Sequence, residues 1–353
     1  MKKKIAALVM TVLMAVSLAG CSKTEVLDGT LVAATLDGTT EVPLGEISLM
    51  LRYDQAEMQS TYGSLFGYDN MYGEDMYGDG TLYGEYAKES LIEEFELLYV
   101  LEAEASDYGV EITDEEAEEI AEAAALFIEE NSEEAVLALG VDEEMAGHVL
   151  TLYTIQDKMY DALTADADIE VTDEEAAQKT VSYVYVSTSG TETDDDGNTI
   201  DLTDEELEEL MDRMELVLEY AEEYGDLDEA AAQVNIDLAL DESDEELAAY
   251  DVTYGADDSP FAYDEIYEAA EALDDGESVL VELDDYIYVL FMVTTFDEEA
   301  TEEEKVTLLE EKIDDYYDEA CDALIEEHEF VTDDDVLALL TFDRAYVLAD
   351  EDE

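Results

Sequence analysis

The sequence predicts an α+β fold, with a mainly helical domain completed by a long helix near the C-terminus and a smaller domain of strands and helices between them. Three observations carry this. Apolar residues recur at three- and four-residue steps from Ala87 to Ala167. Strand-like runs at Val181–Ser187, Ser278–Leu283 and Tyr286–Thr294 then alternate with helical stretches. Helical periodicity returns from Thr301 to Glu327. Hydrophobic residues make up 48% of the 353, well above what an acidic disordered chain carries, so a packed core is expected and the length suits two domains.

The chain opens with MKKKIAALVMTVLMAVSLAGC. Lys2, Lys3 and Lys4 form a basic head, Ile5 to Ala19 an apolar core of 15 residues, and Leu18-Ala19-Gly20 a small-residue exit. This is the pattern of a secretory signal over residues 1–20, because a spanning helix needs roughly 18 or more apolar residues. Residues 21–28 read as a short tether, and 29–170 as the helical domain. Thr30–Leu36 is β-prone and ends at the turn signal Asp37-Gly38, and Glu46–Met58 is a helix with Ile47, Leu49, Leu51 and Tyr53 on its apolar side. Tyr62–Tyr86 holds six Gly and six Tyr, too much glycine for regular structure; it is either a sticky aromatic loop or a connector whose tyrosines pack locally. Leu91, Phe95, Leu98 and Leu101 then mark one helix, the capping-box spacing Thr113–Glu116 starts a second, and Asp142–Leu163 forms a third.

Thr172–Glu175 and Thr203–Glu206 repeat the capping-box spacing and are expected to start helices. Glu205–Tyr224 carries an apolar stripe through Leu207, Leu210, Met214 and Val217, a short helix follows at Leu227–Val234, and another is expected over Tyr263–Leu273. Asp284-Asp285 joins the last two strands as a hairpin. The smaller domain, 175–296, thus reads β-α-α-α-β-β, and 300–353 returns to the helical domain.

Charge narrows the function. Asp and Glu number 102 against 12 Lys and Arg, a formal net charge of −90. Nucleic acid is excluded as a partner, because binding it requires cationic neutralisation of phosphates. The acidity reflects either a salt-rich habitat or selection for solubility, and self-repulsion should be relieved by salt. Catalytic constellations are missing: His148 and His328 each lie in a helical pattern and read as satisfied structural histidines, and Cys321 has no partner placed beside it. No zinc spacing occurs, and Asp194–Asn198 begins like a calcium loop but has Thr203 where the bidentate Glu belongs. No catalytic residue, metal or cofactor is expected.

The Leu-Ala-Gly-Cys at 18–21 resembles the lipobox of bacterial lipoproteins, which implies lipidation of Cys21 and an extracytoplasmic, membrane-anchored protein. With Cys21 acylated, Cys321 has no partner for an internal disulfide. Further phrases resemble the PrsA/SurA-type foldase lipoproteins. Leu31–Gly38 (LVAATLDG) is similar to the family's opening strand and turn, Tyr108–Glu116 (YGVEITDEE) to its helix junction, and Ile169–Glu175 (IEVTDEE) to the start of its parvulin insert. Asp275–Ser278 (DGES) followed by Tyr286–Val289 (YIYV) is similar to the parvulin hairpin. The resemblance implies a SurA-like helical domain carrying a parvulin-like (PpiC-type) insert. It also implies two insert histidines that this chain lacks: Tyr183 occupies the first position and Ile287 the second.

What the resemblance implies is a chaperone or foldase for unfolded or partly folded exported polypeptides, with weak or absent peptidyl-prolyl isomerase activity. Isomerisation needs a pocket that binds the twisted amide and does not strictly need acid/base groups, so an active isomerase with an altered pocket is the alternative. A solute-binding lipoprotein is a third reading and requires two lobes of repeated strand-helix units. The candidate peptide-binding residues are Tyr183, Tyr185, Phe261, Tyr286, Tyr288 and Phe291. Their face either cradles a Pro-containing peptide or packs beneath the insert's helices.

Overall fold

The computed structural model describes residues 14–16, 26–189, 202–240, 246–256 and 258–348. It is α+β, and it divides into two compact units: Met1–Asp168 with Ile313–Glu353, and Ile169–Lys312. Cys21 and the acidic turn Asp194–Asn198 lie outside the described residues, as does most of the leader.

In the first unit, strand β1 (Met14–Val16) precedes β2 (Val32–Leu36) and β3 (Thr40–Pro43). Asp37 and Gly38 both take positive φ, 52° and 65°, which gives the tight hairpin between β2 and β3 its twist. Helix α1 (Leu44–Met58) follows directly, with Glu46 in the first turn where the helix dipole favours an acid. The Gly/Tyr segment is largely irregular apart from single turns at Gln59–Gly63, Ser64–Phe66 and Met71–Gly73. Helices α2 (Tyr83–Glu104), α3 (Asp114–Glu130), α4 (Glu133–Leu139) and α5 (Glu143–Thr164) then build the body of the unit. The Thr113–Glu116 capping box forms in full, and Ser132 and Asp142 cap α4 and α5. Helix α4 gave no separate signal in the sequence because its seven residues are too short to show a period.

The second unit begins with a correction. Thr172 and Glu175 make the reciprocal capping-box hydrogen bonds, yet only one turn forms before strand β4 (Gln178–Ser187) begins. A cap satisfies the first orphan amides but cannot propagate a helix into a β-branched, aromatic run. Helices α6 (Asp204–Tyr224) and α7 (Leu227–Leu238) lead to a strand the sequence did not reveal, β5 (Tyr250–Gly255). Helix α8 (Asp264–Glu271) and the hairpin of β6 (Ser278–Glu282) and β7 (Tyr286–Thr294) complete the sheet. The order is therefore β-α-α-β-α-β-β in place of β-α-α-α-β-β. Helix α9 (Glu298–Ile325) carries the chain back into the first unit, which ends with β8 (Phe330–Thr332), α10 (Asp334–Leu337) and β9 (Tyr346–Leu348).

Pairing is antiparallel throughout: β3-β2-β8 and β1-β9 in the first unit, β5-β4-β7-β6 in the second. Among the described residues there is no repeated parallel strand-helix lobe of the kind a solute-binding protein needs. The first unit's core joins Ile47 and Leu51 of α1, Phe95, Leu98 and Leu101 of α2, and Leu152 and Met159 of α5. Tyr317, Cys321 and Leu324 of α9 and Leu340 and Phe342 of the tail pack into the same cluster. In the second unit Val184, Val186, Ile287, Val289 and Phe291 form one sheet face, buried under Met214, Val217, Ala230 and Val234 of α6 and α7. The other face is covered differently. Val181, Tyr254, Leu290 and Met292 lie under Ile266 and Ala270 of α8, a helix of only eight residues.

Candidate functional site

Because α8 is short, it covers one end of its sheet face and leaves the other to aromatic side chains. Alternation along β4 puts Tyr183 and Tyr185 on that face, and along β7 it puts Tyr286 and Tyr288 there. The register sets Tyr185 opposite Tyr288 and Tyr183 opposite Tyr250 of the newly found strand. The rings of Tyr185 and Tyr288 stack at 5.5 Å, Tyr183 lies 5.7 Å from Tyr250, and Phe261 meets Tyr183 edge-on at 5.9 Å. Tyr263 closes the far side against Tyr286 at 5.9 Å. With Pro260 and Ile266, the rings of Tyr183, Tyr185, Phe261, Tyr263, Tyr286 and Tyr288 line a hollow of about 330 Å³, near the lower end of the range for ligand-binding sites, and Tyr250 flanks it against Tyr183 and Tyr185.

Five of the six candidate residues therefore meet. Phe291 does not: it lies on the opposite face, 5% exposed, in the core beneath α6 and α7. Ile287 shares that buried face. Pro260 and Tyr263 line the hollow and Tyr250 flanks it, and none of the three was singled out in the sequence. Tyr250 was hidden with its strand, whereas Pro260, one of only two prolines, and the Phe261–Tyr263 run beside it were a readable signal.

The hollow is neutral and half-open. Tyr185 and Tyr250 are 42% and 48% exposed. Burial, helped by the neighbouring tyrosines, holds the Tyr183 and Tyr288 hydroxyls above the ordinary phenol range, so both donate at physiological pH. Among the described residues the hydroxyls of Tyr183, Tyr185, Tyr286 and Tyr288 form no hydrogen bond to the protein and can serve a ligand. Such a surface offers ring faces to apolar side chains and hydroxyls to backbone carbonyls. Among the described residues that line it there is no histidine, cysteine or carboxylate.

The histidines are committed elsewhere. His148 bridges Glu46 at 2.8 Å and Glu102 at 3.1 Å, and Glu46 also accepts the Tyr99 hydroxyl at 2.6 Å. Burial would push its imidazolium down, but the hydrogen bonds and charges of Glu102 and Glu46 outweigh this and raise it to about 10. His328 bridges Asp37 at 2.8 Å and Glu104 at 3.0 Å, with its pKa raised chiefly by Asp37. Both ring nitrogens of each are occupied. Cys321 is 3% exposed and burial raises its thiol, the reverse of an activated nucleophile. Among the described residues no cluster of three or more His, Cys, Asp or Glu is arranged to hold a metal ion. No described helix is long and apolar enough to cross a membrane.

No protein-family model matches the chain, and no curated protein is a significant match to it. Among solved structures it is similar to the foldase protein PrsA from Streptococcus pneumoniae strain Canada MDR_19A, at 17% identity and a TM-score of 0.24, over 72% of this chain and 92% of that one. It is also similar to the foldase protein PrsA from Lactococcus lactis, at 13% identity and a TM-score of 0.31, over 87% of this chain and 97% of that one.

Proposed function

We propose that the chain is an extracytoplasmic lipoprotein, anchored through Cys21, that acts as a chaperone or foldase for exported polypeptides and has weak or absent prolyl isomerase activity. The observation that carries the reading is the tyrosine cradle: a neutral, half-open aromatic hollow on a sheet face whose other end is sealed by α8. An extended apolar segment gains area against Tyr183, Tyr185 and Tyr288 and hydrogen bonds from their hydroxyls, with no demand for a particular sequence. The leader, the lipobox and the family phrases support export and anchoring. Weak isomerisation follows from Tyr183 and Ile287 at the family's histidine positions: Tyr183 offers one hydroxyl, and Ile287 faces the core. Binding a twisted amide more tightly than its ground states needs groups aimed at it, and only the phenols remain.

Aggregation suppression and isomerisation of a Pro-containing peptide, measured side by side on the purified protein, test this. The wild type should suppress aggregation and isomerise poorly, and Tyr185→Ala with Tyr250→Ala should weaken client binding while the fold, judged by circular dichroism, persists. Tyr185 in the cradle and Tyr250 beside it are both largely exposed, so their loss spares the core. Strong isomerisation lost in the double variant would establish the enzyme reading instead. Separately, Cys21→Ala should release the exported protein from the membrane fraction; unchanged retention would remove the lipid anchor.

A further inference from the structure

The first unit holds a second hollow with different chemistry. It is an open hollow of about 580 Å³ between α1, α2 and the Gly/Tyr segment. Its aromatic wall is Tyr72, Tyr77, Tyr83 and Tyr86. Tyr72 meets Tyr83 edge-on at 5.3 Å and 88°, and Tyr77 meets Tyr86 edge-on at 5.3 Å and 85°. Edge-to-face contacts set the two rings of each pair nearly at right angles, so the wall is not a parallel stack. Asp54 and Glu57 from α1 and Glu94 from α2 complete the lining. Every described lysine is paired elsewhere: Lys88 with Glu85, Lys158 with Glu116, Lys179 with Glu271, Lys305 with Asp173 and Glu302, Lys312 with Glu175. Burial, then the charges of Glu94 and Glu57, push the Asp54 carboxyl up to about 7. An incoming cation would relieve that repulsion.

We propose that this hollow binds the guanidinium group of an arginine side chain presented by a bound polypeptide. Charge complementarity selects a cation, and the aromatic wall selects an organic one. A hard metal ion wants a shell of oxygens, and among the described residues no metal-holding cluster forms. Arginine suits the site better than lysine, because its weakly hydrated, planar head stacks on a tyrosine face while its fork meets a carboxylate. Tyr72, 3% exposed, gives a fixed floor, whereas Tyr77, 67% exposed, forms the outer lip. The site is independent of the cradle; only the identification of the polypeptide as a folding client rests on the chaperone reading.

The test is calorimetric titration of the purified full chain with N-acetyl-arginine amide and with its uncharged isostere, N-acetyl-citrulline amide, at pH 8 and physiological salt. Saturable one-to-one binding of the arginine compound is expected, with the citrulline compound at least about tenfold weaker. Asp54→Asn and, on an exposed position, Glu57→Gln should each weaken binding several-fold, as should Tyr77→Ala, which removes a ring too exposed to support the fold. Glu118→Gln, on the exposed side of α3, controls for diffuse attraction to an acidic surface and should change nothing. Tyr185→Ala should also change nothing, which separates this site from the cradle. Equal binding of both compounds, equal loss in Glu118→Gln, or no loss in both Glu57→Gln and Tyr77→Ala would overturn the proposal. So would displacement of the arginine compound by calcium at matched ionic strength, which would reassign the hollow to a metal.

Discussion

In the first unit Arg52 is buried and the half-buried His148 and His328 each join three segments distant in sequence, whereas each described lysine of the second unit joins at most two through partly exposed ion pairs. Arg52 is 5% exposed; it donates to Gln55 at 2.7 Å and to the Thr341 carbonyl at 2.6 Å, beneath the rings of Phe342 and Tyr346. His148 ties α5 to Glu46 of α1 and Glu102 of α2, and His328 ties the β2–β3 turn to the end of α2. In the second unit Lys179, Lys305 and Lys312 make ion pairs with side chains 23%, 23% and 37% exposed. Its cohesion comes from a sheet with apolar side chains on both faces. In a chain with so few cations, one placed inside determines tertiary structure, because its removal strands buried acceptors, whereas one at the surface trims local repulsion.

The largest expected effect is therefore in the first unit. Arg52→Ala removes the charged hydrogen bonds to Gln55 and the Thr341 carbonyl and the contacts with the Phe342 and Tyr346 rings, a loss of about 3–5 kcal/mol. Hydrogen exchange should show α1 and the 334–348 tail losing protection while β4 and β7 keep theirs. Equal loss in β4 and β7 would mean that the two units unfold as one and that the contrast has no energetic content.

His148 gives the next effect and a sign that can be checked. Its pKa is raised in the folded state from 6.5 to about 10. The stabilisation is therefore complete below about pH 6.5 and declines as pH rises through 10, where the folded imidazolium finally deprotonates. The melting temperature of the first unit should fall steadily between pH 7 and pH 10. His148→Gln should be less stable than wild type at pH 7 and flatter over that range. A wild-type profile already flat there would show that Glu46 and Glu102 do not hold the ring charged.

Glycine at position 84 makes a smaller, purely steric contribution to the same unit. A Cβ there would lie 2.4 Å from the Phe342 ring, so Gly84→Ala should cost about 1–3 kcal/mol unless the tail shifts. Thermal melts should show the loss in the transition of the first unit alone.

Where information is local, the sequence was readable. The capping boxes at Thr113 and Thr203 mark where α3 and α6 begin, and the Asp37-Gly38 turn marks its hairpin. The identical box at Thr172 misled, because whether a helix continues depends on the residues after the cap, and here they are strand formers. Strand β5 was hidden because it is an edge strand with Tyr250 and Asp251 exposed, so its burial does not alternate cleanly. Four of the cradle tyrosines followed from period-two alternation, and the same rule already separates Phe291 from Tyr286 and Tyr288. Arg52 was beyond reach: its partner carbonyl on Thr341 lies 289 residues along the chain, and nothing near Arg52 announces it.

The smallest expected effect belongs to the second unit. Lys179 contacts both oxygens of Glu271, at 2.6 and 2.7 Å, joining β4 to α8, and Glu271 also accepts the Tyr254 hydroxyl at 3.1 Å. The pair is solvated at its rim, so Lys179→Met should cost about 0.2–1 kcal/mol. The Tyr254 hydroxyl still has its acceptor, and the methionine stem keeps the apolar contact of the lysine stem. Salt should act here in two directions. It weakens this pair, so the difference between variant and wild type should shrink at higher ionic strength, while both proteins gain stability as the repulsion among the chain's 102 acids is screened. A loss from Lys179→Met as large as that from Arg52→Ala, and insensitive to salt, would mean that the second unit also depends on a cation for its tertiary structure.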